Sequence, residues 1–216
     1  MASLVDLKPA ERARLLSKPE GELGIAIGKV MNETNAKIIS TVYHRLGLKV
    51  GHRVLEIGFG NGQTVPLLMQ LADELNYVGI EISATMVAEA SAFNQDLVQI
   101  GRATFDLASA EAIPANDASF NRALAVNVVY FWPDPVQVLA EIRRVLRPSG
   151  FSIVAGIDRA TAASVPLYCA EYGFRVHDAD ALIAFHQEAG FTDVVVEPTR
   201  SPSWVTGHLC RGTTIL

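Results

Sequence analysis

The residues best suited to chemistry stand together at Val54-Leu55-Glu56-Ile57-Gly58-Phe59-Gly60-Asn61-Gly62. Three glycines at alternate positions follow an apolar run, and bare backbone at such a turn lets a ligand approach where a side chain would intrude. Glu81 ends a second β-rich run, Tyr77-Val78-Gly79-Ile80-Glu81-Ile82. A carboxylate there takes both hydroxyls of a ribose in charge-assisted hydrogen bonds. Together these features point to a nucleoside-bearing ligand at the carboxyl ends of the strands of an open α/β sheet. The plainer alternative is a tight strand-to-helix turn that holds nothing.

Two details narrow the ligand. The glycines are spaced GxGxG, whereas the dinucleotide fingerprint is GxGxxG. Glu56 lies just ahead of the loop; its charge repels a pyrophosphate but suits a ligand carrying an ammonium and a sulfonium. S-adenosylmethionine carries both and is the expected cofactor.

Such a loop needs strands and helices to hold it, and the sequence supplies them in alternation. Strands are expected at 53–58, 77–82, 103–107, 122–127 and 151–157. Helices are expected at 63–72, after the cap residue Ser83, and after Asp134-Pro135, where proline fits the first turn. That last helix faces inward through Val138, Leu139, Ile142, Val145 and Leu146, and Arg147-Pro148-Ser149-Gly150 is expected to stop it. Asp178 caps a helix reaching Ala189-Gly190. Val194–Glu197 and Trp204–Ile215 then pair as an antiparallel hairpin. The fold class is α/β: a Rossmann-like, doubly wound sheet of about seven strands, mostly parallel. The whole chain, 1–216, reads as one domain, with residues 1–50 a helical extension or lid and 51–216 the core.

On four blocks the chain resembles the class I S-adenosylmethionine-dependent methyltransferases, in the small-molecule branch related to ubiquinone and menaquinone biosynthesis (methyltransferase type 11 domain). The blocks are VLEIGFGNG (54–62), GIEIS (79–83), SAEAIPANDASFNRALAVNVVYFW (109–132) and EIRRVLRPSG (141–150). The resemblance implies that Gly58, Phe59, Gly60 and Gly62 line the methionine and ribose, with Glu56 near the amino-acid end. Glu81 would hold the ribose, Ile82 would lie against the adenine, and Ser109, Ala110 and Glu111 would edge it. Val126 and Asn127 would close the pocket. Two positions depart from the family pattern. Ser109 stands where an aspartate often reads the adenine amino group, and Asn121 where an aspartate usually ends the SFD triplet.

Methyl transfer from a sulfonium is an in-line displacement, in which alignment and exclusion of water are the protein's work. Acceptor contacts are expected from three places. Asn127, Tyr130, Phe131 and Trp132 follow strand four, as an acceptor wall or as packing for the next helix. Tyr168, Tyr172 and His177 lie between strand five and the following helix, with His177 either a general base or an exposed terminus residue. Asn35 falls on the apolar stripe Ile27, Met31, Ile38, Val42 and Leu46, facing cofactor or substrate beneath a lid. Alternatively, Asn32 caps that helix and Asn35 bonds within its first turn.

Composition sets the outer bounds. Fifty per cent of the 216 residues are hydrophobic and 19% charged, as in ordinary globular proteins. Lys+Arg 18 against Asp+Glu 23 gives a net charge of -5, the wrong sign for a nucleic-acid binder. Cys169 and Cys210 form no metal-ligand pattern, so no metal is expected, and neither a secretory leader nor a membrane span is read. The expectation is a cytoplasmic enzyme with a small-molecule acceptor. A nicotinamide-dependent oxidoreductase and a non-catalytic regulator that binds the same cofactor are the alternatives. The acceptor atom and the oligomeric state stay open.

Overall fold

The computed structural model describes residues 4, 6–201 and 205–213, with side chains through 198 and at 212 and 213. Seven strands form one sheet in the order β3-β2-β1-β4-β5-β7-β6. They are β1 (Arg53–Ile57), β2 (Asn76–Glu81), β3 (Ala103–Leu107), β4 (Phe120–Val126), β5 (Leu146–Ile157), β6 (Thr192–Ser201) and β7 (Val205–Thr213). β1 pairs in parallel with both β2 and β4, and β4 with β5, whereas β7 runs antiparallel to β5 and β6. Strand order reverses on either side of β1, so the crevice at its carboxyl end opens between β1 and β4. The doubly wound sheet with its antiparallel hairpin is the fold expected. Trp204, Thr214 and Ile215, assigned to the closing strand, lie outside the described residues.

Alternation along the strands divides the core between the two faces. Leu55, Ile57, Ala123, Ala125 and Val154 turn to the face covered by α6 (Pro135–Val145), whose Val138, Leu139, Ile142 and Val145 are buried against them. Val54, Leu124, Val126, Ile153 and Ala155 turn to the other face and meet Ile38, Val42 and Tyr43 of α2 (Gly21–Arg45). Glu56 follows Leu55 in that alternation, so its carboxylate points at the α2 face, among apolar neighbours. That placement governs its electrostatics.

Three helix starts have the expected caps. Ser83 Oγ accepts from the Met86 amide at 3.2 Å, starting α4 (Ala84–Phe93). Asp134 accepts from Val136 and Gln137 at α6, and Asp178 from Ala181 at α8 (Ala179–Glu188). Three expectations are corrected. The helix read over 63–72 shrinks to α3 (Val65–Met69). Residues 147–150 belong to β5, where a register shift between Phe120 and Arg122 absorbs the bend and Ser149 adopts φ 62°. Asn32 caps nothing: α2 begins eleven residues earlier in the chain at Gly21, whose amide donates to Thr85 Oγ1 at 3.1 Å.

Candidate functional site

A cavity of about 310 Å³ opens at the carboxyl ends of β1, β2 and β4. Its floor is the glycine turn after β1, its flanks are Ile80–Ile82 and Ala108–Glu111, and its far side is Val126–Val128. α2 roofs it through Gly28, Met31, Asn32, Asn35 and Ile39, and the end of α1 (Pro9–Ser17) adds Leu16 and Ser17.

The glycine turn is built for close approach. Gly58 and Gly60 have φ of 71° and 61°, a region that side-chain-bearing residues enter at a cost. A Cβ on Gly58 would stand 2.5 Å from Val128 Cγ1, whereas a Cβ on Gly60 would meet nothing within 4 Å and would project into open space. Gly58 therefore serves packing, and Gly60 serves the cavity. Gly62 is outside the lining; its Cβ would strike Ala90 at 2.6 Å, so it seats the turn on α4.

Glu81 is 8% exposed and holds the turn together. Its Oε1 accepts from the Ile82 and Ser83 amides at 2.8 and 3.1 Å, and its Oε2 from Gly60 at a long 3.4 Å. Burial raises its pKa, and those three amides oppose the rise. With four lone-pair positions on a carboxylate and only a weak contact at Oε2, Glu81 retains capacity to accept from a diol.

Glu56 is 4% exposed. Its Oε2 accepts from Tyr77 at 2.9 Å and from Tyr43 at 3.3 Å, and the Tyr43 hydroxyl also lies 2.9 Å from Thr64 Oγ1. Desolvation lifts its pKa to about 7 despite the two tyrosine hydroxyls that lower it. Gly79 stands opposite Glu56 in the β1–β2 register, and a Cβ there would crowd Tyr77 Cε1 at 3.0 Å and Phe59 Cδ1 at 2.4 Å. The glycine leaves room for Phe59 and for the Tyr77 ring whose hydroxyl reaches the carboxylate.

Most residues proposed for cofactor contact come together here. Glu56, Gly58, Phe59, Gly60, Glu81, Ile82, Ser109, Ala110, Glu111, Val126 and Asn127 all line the cavity. Ser109 Oγ accepts from the Glu111 amide at 3.2 Å, ordering the turn after β3. Asn121 is remote from the cavity, and its Oδ1 accepts from the Arg53 amide at 2.9 Å.

Of the acceptor candidates, Asn35 and Trp132 line the cavity, and Tyr130, Tyr168, Tyr172 and His177 do not. Tyr130 is buried in the core, its ring centroid 4.7 Å from that of Phe131 and 5.2 Å from that of Phe174, and the Tyr168 ring lies 5.0 Å from Phe174 at a 44° tilt. Tyr172 is partly buried against the same cluster. His177 sits edge-on to Phe185, and desolvation lowers its pKa. These four pack on ring surface away from the cavity, and the buried Nε2 of His177 has no hydrogen-bond partner among the described residues.

Sequence reasoning passed over several contributors. Asn61 is buried and accepts from Asn32 Nδ2 at 3.0 Å, and Tyr43 and Tyr77 are the partners of Glu56. Met86, Thr64, Ile39 and Leu16 complete the wall. The available signal was Glu56 itself, since a charged residue inside an apolar strand must find hydroxyl or amide partners. Among the described residues, no group of three or more His, Cys, Asp or Glu side chains is placed to hold a metal ion. Among them, no helix is long and apolar enough to cross a membrane.

Residues 55–154 match the methyltransferase domain family. A curated relative, 27-O-demethylrifamycin SV methyltransferase of Amycolatopsis mediterranei, is 33% identical over 122 residues, covering 56% of this chain and 44% of its own. The chain spans about half the length of the first curated relatives it matches. Among solved structures, phosphoethanolamine N-methyltransferase 2 of Haemonchus contortus, in complex with S-adenosyl-L-methionine, aligns with TM-score 0.69 at 14% identity. That alignment covers 83% of this chain and 53% of that one. The cyclase SpnF aligns with TM-score 0.70 at 19% identity, covering 83% and 81%. At these identities the structures establish the fold alone. With a cyclase among these neighbours, the site must carry the argument for chemistry.

Proposed function

We propose, for a chain whose residues 55–154 belong to the methyltransferase domain family, that the protein transfers a methyl group from S-adenosylmethionine to a small-molecule acceptor. The observation that carries this reading is the pairing of open backbone at Gly60 with two buried carboxylates, Glu56 and Glu81, on one cavity. An anionic, largely apolar hollow favours a cationic nucleoside over a pyrophosphate.

In this reading Glu81 accepts from the ribose hydroxyls through its weakly used Oε2. Ile82 and the Ser109–Glu111 turn flank the adenine, and Glu56 faces the cationic amino-acid portion. When bound, the cofactor supplies an electrophilic methyl group already activated by the positive sulfur. The chain's own residues bind, orient and shield. The glycine turn sets the depth at which the ligand lies, α2 covers it, and Phe131 and Trp132 keep water from the acceptor side. Orientation of this kind supplies roughly 7–11 kcal/mol of a barrier when the reacting atoms are aligned. Chemistry of this type needs no residue that bonds covalently to substrate.

The test is incubation of the purified chain with methyl-labelled S-adenosylmethionine and a panel of small acceptors. Label entering one chemical class is the expected result. Failure to bind S-adenosylhomocysteine, or binding without transfer to any acceptor, defeats the reading.

A further inference from the structure

Glu56 takes both of its hydrogen bonds on one oxygen. The Tyr77 hydroxyl of β2 reaches Oε2 at 2.9 Å, and the Tyr43 hydroxyl of α2 reaches it at 3.3 Å. An ionised carboxylate only accepts, so both hydroxyls donate to it. Tyr43 then has no hydrogen left for Thr64 Oγ1, 2.9 Å away, and Thr64 is the donor in that pair. Sheet, roof helix and glycine turn are thereby linked to a single atom. Oε1 has no hydrogen bond among the described residues. Unlike the Oδ1 atoms of Asn94 and Asn127, it is not sealed off, and Glu56 lines the cavity. A network that only satisfied a buried carboxylate would supply donors to both oxygens. Here the oxygen on the cavity is left bare.

We propose that Tyr43 and Tyr77 are positioning residues of the cofactor site, clamping Glu56 by Oε2 so that Oε1 meets the ammonium of the cofactor's amino-acid portion. The proposal rests on the methyl-transfer reading, in which Glu56 faces that portion, and adds which residues aim the carboxylate. Both tyrosines are buried and neither lines the cavity, so their influence on a ligand passes through a neighbour. For Tyr77 that neighbour is Glu56. Tyr43 also touches Thr64, which does line the cavity, and a Glu56→Gln background separates the two routes.

The clamp suits a cation. Turning the carboxylate so that Oε2 leaves the tyrosines would strand two buried hydroxyls, so the orientation that bares Oε1 is held. A free carboxylate oxygen gives an ammonium a charge-assisted bond, roughly twice as strong as a neutral one. The register sets only uncharged neighbours beside Glu56, Gly79 on β2 and Leu124 on β4. Among the described residues, the titratable groups facing it are Tyr43 of α2 and Tyr77 of β2, whose pKa values burial raises well above the usual phenol range. Both hydroxyls therefore keep their protons at neutral pH. Glu81, at the end of β2, shares the cavity. Burial raises the Glu56 pKa and the two hydroxyls lower it, so losing either hydroxyl makes the carboxylate harder to ionise. An ammonium-bearing ligand then binds less well near neutral pH, whereas a ligand of the same shape without the ammonium does not.

The experiment titrates the full chain with S-adenosylhomocysteine, and with the analogue that lacks only its α-amino group, by calorimetry between pH 6 and 8.5. The variants are Tyr43→Phe, Tyr77→Phe, Glu56→Gln and Tyr43→Phe combined with Glu56→Gln. Loss of one hydrogen bond to a charged group moves the pH midpoint of S-adenosylhomocysteine binding from about 7 to about 8 in each Tyr→Phe variant. The ionised share of Glu56 at pH 7 then falls from about a half to about a tenth, so affinity there drops about fivefold. The analogue's affinity is expected to change less than about twofold, and in the Glu56→Gln background Tyr43→Phe is expected to change S-adenosylhomocysteine affinity less than about twofold. Equal losses for the two ligands, an unmoved midpoint, or the same Tyr43→Phe loss in the Glu56→Gln background overturns the inference, as does unchanged affinity. Should Tyr43→Phe fail to fold, as its melting curve would report, Tyr77→Phe is held to the same ligand and midpoint outcomes. Failure of the parent chain to bind S-adenosylhomocysteine defeats the underlying methyl-transfer reading, and the inference with it.

Discussion

Glu56→Gln separates the cost of a buried carboxylate from its use. Burial raises the folded-state pKa of Glu56 from 4.5 to about 7. At 1.36 kcal/mol per pKa unit, the ionised group destabilises the ligand-free fold by about 3 kcal/mol once the pH is above 7. The folded chain holds this proton more tightly than the unfolded chain does. The penalty is therefore absent below about pH 4.5, grows as the pH rises toward 7, and is constant above it. Glutamine keeps the shape and an oxygen for the Tyr43 and Tyr77 hydroxyls, but its NH₂ group needs a partner and returns about 1 kcal/mol of the gain. The variant should therefore be more stable than the parent by about 2 kcal/mol at pH 8 and no more stable at pH 4.5, while binding S-adenosylmethionine less tightly. Urea denaturation at both pH values without ligand, with calorimetry at pH 8, checks this. A stability difference independent of pH, or a less stable variant at pH 8, refutes the assignment of Glu56 as a desolvated carboxylate.

Other expectations follow from the same geometry. Because only the ionised Glu56 complements a cation, S-adenosylmethionine affinity should fall about tenfold per pH unit below about 7, seen by calorimetry across pH 5–8. Gly60→Ala and Gly58→Ala should differ in kind. The first projects a methyl into the cavity and loses ligand binding at a stability cost of roughly 1 kcal/mol, whereas the second drives a methyl into Val128 and mainly lowers the melting temperature. Arg144 bonds the Ile113 and Ala115 carbonyls as well as Glu141 and Asp117. Arg144→Ala should destabilise the chain by about 1–2 kcal/mol and speed hydrogen exchange in the turn that follows Glu111.

Legibility in the sequence tracked how local the cause was. The glycine turn, the caps at Ser83, Asp134 and Asp178, and the strand rhythm depend on neighbours in the chain, and each appears where the residues put it. The length of α2 was less visible, because its start is secured by Thr85, far along the chain, instead of by a capping side chain of its own. Asn35 stands as a polar break in an apolar stripe, but its partner Asn127 follows β4, 92 residues along the chain. The aromatic residues divide for a physical reason: Phe131 and Trp132 line the cavity, whereas Tyr130, Tyr168 and Tyr172 do not. A ring suits a core as well as an acceptor, and only the packing of Tyr130, Tyr168 and Phe131 around Phe174 distinguishes the two uses. The strand-like stretch 147–150 was hidden by a proline and a positive φ at Ser149, features that ordinarily end an element but are here taken up by a bulge.

The most direct measurement is a calorimetric titration of the purified chain with S-adenosylhomocysteine, run in parallel with NADH. Saturable binding of S-adenosylhomocysteine at one site, abolished by Gly60→Ala, with no heat from NADH, is the predicted result. Binding of NADH instead, or S-adenosylhomocysteine binding indifferent to Gly60→Ala, would contradict a cationic-nucleoside site at the tip of β1.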